Sequence, residues 1–119
     1  MAIYTGELLS GSTNGRPIPV VAVATPGTTI HTAPSGTTGF DEVFLFAANV
    51  TGSTATLTVE WGGVTDPGDH LVKSYSIPAN SPQYPIAVGQ RINNGLSIKA
   101  FSGSASALNI TGWVNRKTA

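Results

Sequence analysis

Apolar residues in this chain recur at every second position within short runs, and no stretch of ordinary helix length carries a helical face. Thr54-Ala55-Thr56-Leu57-Thr58-Val59-Glu60-Trp61 shows the pattern most cleanly. Leu57, Val59 and Trp61 share one face while Thr56, Thr58 and Glu60 share the other, the period-two signature of a half-buried strand. That phase predicts Trp61 in the core and Glu60 as an ordinary outward surface charge. The run from Asp41 to Val50 differs, because its middle, Val43-Phe44-Leu45-Phe46-Ala47-Ala48, is apolar on both faces. Such a strand belongs inside a sheet, with one face in the core and the other covered by a partner or by the N-terminal segment.

Six more runs rich in β-branched residues read as strands: 20–25, 28–32, 71–77, 84–88, 96–101 and 107–114, each bounded by Gly, Pro, Asn or Ser. Pro85 removes a backbone donor, so its strand is expected at a sheet edge or a bulge. Thr51-Gly52-Ser53 is short enough to close a hairpin between the strands on either side. The run Gly89–Gly95, with Asn94-Gly95, reads as a turn. About eight short strands punctuated by turns predict an all-β fold, a single antiparallel β-sandwich of jelly-roll-like form. Residues 20–117 would form that domain and residues 1–19 an extended N-terminal arm, since Arg16-Pro17-Ile18-Pro19 favours extended backbone. Ile3, Tyr4, Leu8 and Leu9 give the arm apolar anchors, whether it docks on its own domain or lies along a neighbouring subunit.

Composition narrows the function. Charged residues make up 10% of the chain, against about 25% in ordinary globular proteins. Six basic residues balance six acidic ones, which removes long-range attraction to nucleic acid or anionic lipid and lowers repulsion between copies. The absence of cysteine excludes disulfides, thiol nucleophiles and thiolate metal sites. No stretch approaches the roughly 18 apolar residues of a spanning helix, and the N-terminal residues have neither a basic nor an apolar targeting region. Synthesis or assembly in the cytoplasm is the expectation, with no membrane and no nucleic acid as partners.

Candidate chemistry is sparse. His31 lies in a Thr-rich strand and is expected at the surface or half-buried. His70 follows Asp66-Pro67-Gly68-Asp69, but this spacing fits neither a calcium loop nor a zinc helix, and a solvated turn explains it better. Glu60 with Asp66 or Asp69 could only form a catalytic carboxylate pair if Glu60 faced a cleft, and its phase points it outward. No nucleophile elbow or phosphate-cradling loop is present. The triplets starting at Asn49 and Asn109 match glycosylation acceptors by chance in so Asn- and Thr-rich a chain. No enzyme activity, catalytic residue, cofactor or metal is therefore expected. Trp113 stands in opposite phase to Leu108, Ile110 and Val114, so it faces solvent or a partner, with a subunit or lattice contact favoured over a carbohydrate platform or an irregular core. Arg116 and Lys117 follow close enough to reach a carboxylate on whatever Trp113 covers.

As an ordered set, Leu8–Ile18, Thr28–Ala33, Asp41–Asn49, Val59–Gly63 and Gly112–Arg116 resemble the small virion structural proteins of tailed bacteriophages and prophages. The resemblance covers nearly the whole chain, and its segments are distinctive together and weak singly. It implies a capsid decoration (cement) protein with a sandwich or jelly-roll body, lying on the outer capsid surface and bridging capsid subunits. The implied partners are the major capsid protein and identical subunits, a homotrimer favoured over a dimer. Ile3, Tyr4, Leu8, Leu9 and Arg16 would lie on the gripping arm, and Trp113 and Arg116 would contact another copy or the shell. A tail or baseplate component touching a host receptor or glycan is the competing expectation.

Overall fold

A computed structural model describes residues 3–118. Its regular structure is entirely β: β1 (Ile3–Leu8), β2 (Ile18–Pro19), β3 (Thr28–Thr32), β4 (Phe40–Asn49), β5 (Ala55–Trp61), β6 (His70–Ile77), β7 (Tyr84–Ile92), β8 (Ser97–Ser102) and β9 (Leu108–Thr118). One sheet runs β1-β9-β4-β7, with β2 also paired to β9, and the other runs β3-β8-β5-β6. All pairs are antiparallel. β1 pairs with residues 113–118 of β9 and β2 with residues 109–110, so the two act as one interrupted strand. Strand pairing is nested: β5 pairs β6, β4 pairs β7, β3 pairs β8, and β1 with β2 pairs β9. This is one long hairpin folded over into two sheets, the arrangement of a jelly roll.

The core lies between the sheets. Val43, Leu45, Ala47, Ala87, Ile110 and Val114 come from the five-stranded sheet, and Ile30, Leu57, Val59, Ile98 and Ala100 from the four-stranded one. Full burial of each large aliphatic side chain contributes about 1.5–3 kcal/mol. β4 occupies the interior position its two-faced apolarity requires. β7 is an edge strand with a register shift between Leu45/Phe46, beside the Phe46–Pro85 pair, so Pro85 is at an edge and a bulge together. Gly112 faces Leu45 across the β9–β4 pair, and a Cβ there would overlap the Phe44 carbonyl oxygen.

Several local expectations need correction. Thr51-Gly52-Ser53 does not close a hairpin, because β4 and β5 belong to different sheets. Asn49 turns the chain across the sandwich instead. Its amide nitrogen donates to the carbonyls of Ser53 and Ile77 at 2.8 and 3.0 Å, and its oxygen accepts from the Thr51 backbone at 2.9 Å. Residues 20–25 are no strand either: after β2 the chain crosses between sheets, burying Val20 but leaving Val21 and Val23 exposed. The expected turn at 89–92 is strand, since β7 continues through Gly89 to Ile92 and only residues beyond it turn. Residues 3–8 and 18–19 are extended and pair with β9 of their own chain, supplying the jelly roll's first strand, but residues 10–15 between them form turns rather than a continuous extended arm.

Glu60 is the sharpest correction. Its side chain does point away from the core, yet it is fully buried. The loop between β2 and β3 folds onto it: the Thr25 hydroxyl donates to one carboxylate oxygen at 2.5 Å and the Gly27 backbone to the other at 2.7 Å. His31 is likewise buried rather than at the surface, because the turn after β1 closes over β3.

Candidate functional site

The outer face of the five-stranded sheet follows from strand phase. On β4, Asp41, Val43, Leu45, Ala47 and Asn49 are buried and the alternate residues Phe40, Glu42, Phe44, Phe46 and Ala48 face away from the core. Register then lines up side chains across strands. Leu8 of β1, Trp113 of β9, Phe44 of β4 and Val88 of β7 form one continuous apolar row. Leu8, Trp113 and Val88 are 58%, 44% and 66% exposed. The next row toward the chain ends is Gly6, Asn115, Glu42 and Arg91, and the one beyond is Tyr4, Lys117 and Phe40.

Trp113 is packed as well as exposed. Its ring lies nearly parallel to Phe44, 5° apart with centroids at 5.0 Å, and Phe46 lies at 5.8 Å. A 5.0 Å separation between neighbouring strands matches the strand spacing of about 4.8 Å. The rings therefore stand upright from the sheet, stacked against one another, and present edges rather than broad faces. Packing of this kind fixes the rotamers before any partner arrives. A glycan platform needs an open ring face, and one face of the indole is already taken by Phe44.

The other end of the face is polar-aromatic. The Arg91 guanidinium sits 4.4 Å from the Phe40 ring centre and pairs with Glu42 at 2.9 Å, while Lys117 approaches Phe40 at 5.3 Å and Tyr4 packs edge-on at 6.4 Å. A shallow cleft of about 150 Å³ lined by Phe40, Arg91, Ile92 and Asn93 opens here. Small-molecule sites span roughly 300–1,000 Å³, so this cleft suits a side chain better than a free ligand.

On the inner side of the same sheet lies a buried charge cluster. Arg116 donates to Asp41 through Nε at 2.8 Å and Nη2 at 3.1 Å, and His31 Nε2 lies 2.6 Å from the same carboxylate. Burial pushes the Asp41 carboxyl up, but the hydrogen bonds from Arg116 and His31 and the Arg116 charge outweigh it, so the group is held below its ordinary value. The Asp41 carboxylate in turn raises Arg116. His31 Nδ1 accepts the Ser10 backbone N–H at 2.9 Å, which leaves Nε2 as the nitrogen that donates to Asp41. An Asp–His pair supplies two of the three members of a nucleophilic triad. Here, however, the third member is a backbone N–H, and the Ser10 hydroxyl accepts from Thr32 N at 2.8 Å. The cluster ties the Ser10 turn and β9 to the core.

The residues expected to contact partners are thus divided. Trp113, Leu8 and Tyr4 share the outer face, and Ile3 is exposed at the start of β1. Leu9 is 2% exposed and belongs to the core. Arg16 is exposed in the segment leading to β2. Arg116 is opposite in phase to Trp113 and committed to Asp41, not to a carboxylate beneath the indole. Phe44 and Phe46 belong to the face and were signalled by the two-faced apolarity of 41–50. Val88 and Arg91 joined it only through cross-strand register, which no local pattern carries.

Among the described residues, no group of three or more His, Asp or Glu side chains is placed to hold a metal ion. His70 has its ring beside Phe101 at 6.4 Å, with Nδ1 3.6 Å from Asp66, whose carboxylate is taken by Lys73 at 2.8 Å. No family model, characterised protein or solved structure matches the chain.

Proposed function

We propose that this chain is a capsid decoration protein, a non-enzymatic module that docks on the outer surface of a bacteriophage head and stabilises the shell by bridging capsid subunits. The observation that carries the reading is the outward apolar row Leu8, Trp113, Phe44 and Val88, one residue from each of four neighbouring strands. Contiguous exposed apolar surface on a small domain marks an interaction site. An aromatic cluster with fixed rotamers, flanked by Arg91 and Lys117, has the composition of a protein-binding hot spot. Upright stacked rings favour a protein surface over a sugar. A weak contact made by each of many copies on a lattice sums to a large stabilisation of the shell.

The test is to mix the purified protein with heads of its parent phage that lack it, pellet the particles and count bound copies per capsid subunit. Saturation at a fixed ratio set by the lattice, lost in Trp113→Ala, is the expected result. Absence of binding to heads, with binding to isolated tails, would replace the shell by the tail as the site.

A further inference from the structure

Every open sheet has two edges, and each edge is a row of unpaired backbone donors and acceptors that invites another strand. This sandwich has four edges: β1 and β7 in one sheet, β3 and β6 in the other. Three are blunted. β7 carries Pro85, two register shifts against β4, and Gly89 at a φ of 98°. β6 carries two register shifts, Lys73, and Ser74 at a φ of 51°. The short β3 is irregular between Thr29 and His31 and is capped by its own chain, for Gly11 N donates to the Ile30 carbonyl at 2.9 Å and Thr32 N to the Ser10 hydroxyl at 2.8 Å. A Cβ at Gly11 would come within 2.5 Å of the Ile30 oxygen, so this cap is built for close approach.

Of these devices β1 has a single charge, Glu7, and no other. It pairs with β9 over six residues without a register shift, contains no proline and no residue at positive φ, and is exposed along almost its whole length. Among the described residues no strand lies on its other side.

We infer that β1 is a self-association edge, along which two copies of the chain join antiparallel about a two-fold axis. The sheet would then continue from β7-β4-β9-β1 of one copy into β1-β9-β4-β7 of the second. Keeping both outer faces on the same side requires residues of like phase to oppose each other. The register centred on Gly6 satisfies this, setting Tyr4 against Leu8 of the second copy and Thr5 against Glu7. It buries two side chains that are 54% and 58% exposed in the single chain, and it places no like charges face to face, since Glu7 is the one charged residue of the strand. Zero net charge on each chain offers no repulsion to oppose the pairing. The pair would bring two apolar rows onto one continuous surface. This inference rests on the strand edges and not on the capsid reading, so each can fail without the other.

The chain has no cysteine, which makes the register directly testable. A Cβ at Gly6 meets nothing within 4 Å, and directly opposed residues of an antiparallel pair have Cα atoms about 4.5–5.5 Å apart, within disulfide reach. Sedimentation equilibrium of the unmodified full chain at submillimolar concentration should give twice the 12.2 kDa chain mass. Mild oxidation should convert Gly6→Cys to a covalent dimer and leave Val88→Cys, on the blunted edge, monomeric on a non-reducing gel. A mixture of Tyr4→Cys and Leu8→Cys should cross-link into heterodimers. A chain that sediments as a monomer, a trimer, or a dimer that cross-links through Val88→Cys and not Gly6→Cys, would overturn the inference.

Discussion

The two sheets treat their outward side chains in opposite ways. On β5 of the four-stranded sheet the outward residues Thr56, Thr58 and Glu60 are polar, and the chain covers two of them itself: Thr25 and Gly27 close over Glu60, and Ser74 N donates to the Thr58 hydroxyl at 3.0 Å. On the five-stranded sheet one outward row, Leu8, Trp113, Phe44 and Val88, is aromatic and aliphatic, and the chain leaves it largely open. A buried carboxylate needs fixed donors that only a specific loop can supply, whereas an apolar row can be covered by any surface of matching shape. Polar outward positions have therefore become part of the fold, and apolar ones are left for something else to complete. Mutations on the two faces should separate stability from binding.

The largest effect is expected inside the sandwich, at the charge cluster. Asp41→Ala leaves the His31 and Arg116 donors without their acceptor and should cost about 3–5 kcal/mol in urea unfolding. Because the Asp41 pKa is lowered in the folded state, its stabilisation is present above the unfolded value of about 3.9 and is lost as pH falls through the folded one. The difference in stability between wild type and Asp41→Asn should therefore be full at neutral pH and shrink in acid. Next comes the covered outer face, where Glu60→Ala strands the Thr25 hydroxyl and Gly27 N–H and should cost about 2–4 kcal/mol, with Glu60→Gln milder.

On the open face the order of effects reverses. Trp113→Ala should lower stability by only about 1–2 kcal/mol, the value of a half-buried stacked ring, keep the β-sheet circular dichroism, and abolish docking. If the dichroism collapsed, Trp113 would be a structural residue and the comparison between the faces would fail. Val88→Lys is the smallest change, within about 0.5 kcal/mol in stability, and should weaken docking with no shift in thermal midpoint.

Phase was legible in the sequence and cover was not. Alternation in 54–61 and 107–114 set Leu57, Val59, Ile110 and Val114 inward and Trp113 outward, as they are. The interior place of β4 and the edge place of Pro85 followed from backbone donors and two-faced apolarity. Glu60 and His31 defeated local reading, because a strand's phase says which way a side chain points and nothing about which distant loop lies on top of it. The sheet switch after β4 was hidden for a similar reason. Thr51-Gly52-Ser53 is compatible with a hairpin, and the decision rests on Asn49 bonding the Ile77 carbonyl 28 residues away. Partners across the fold, such as Val88 beside Phe44, became visible only with the register.

The nested hairpin also sets how the molecule responds to force. Ile3 lies opposite Thr118 in an antiparallel ladder, so the two ends of the described chain leave the sandwich side by side. Tension applied between them does not shear the ladder along its length, with all rungs loaded together. It peels β1 from β9 one rung at a time, starting at the Ile3–Thr118 pair. Peeling from this end meets Thr5 opposite Arg116 at the third rung, where the Asp41 ion pair anchors β9 to β4. Load carried through the two ends is thus concentrated on the outermost ladder first, and the core between the sheets feels it last.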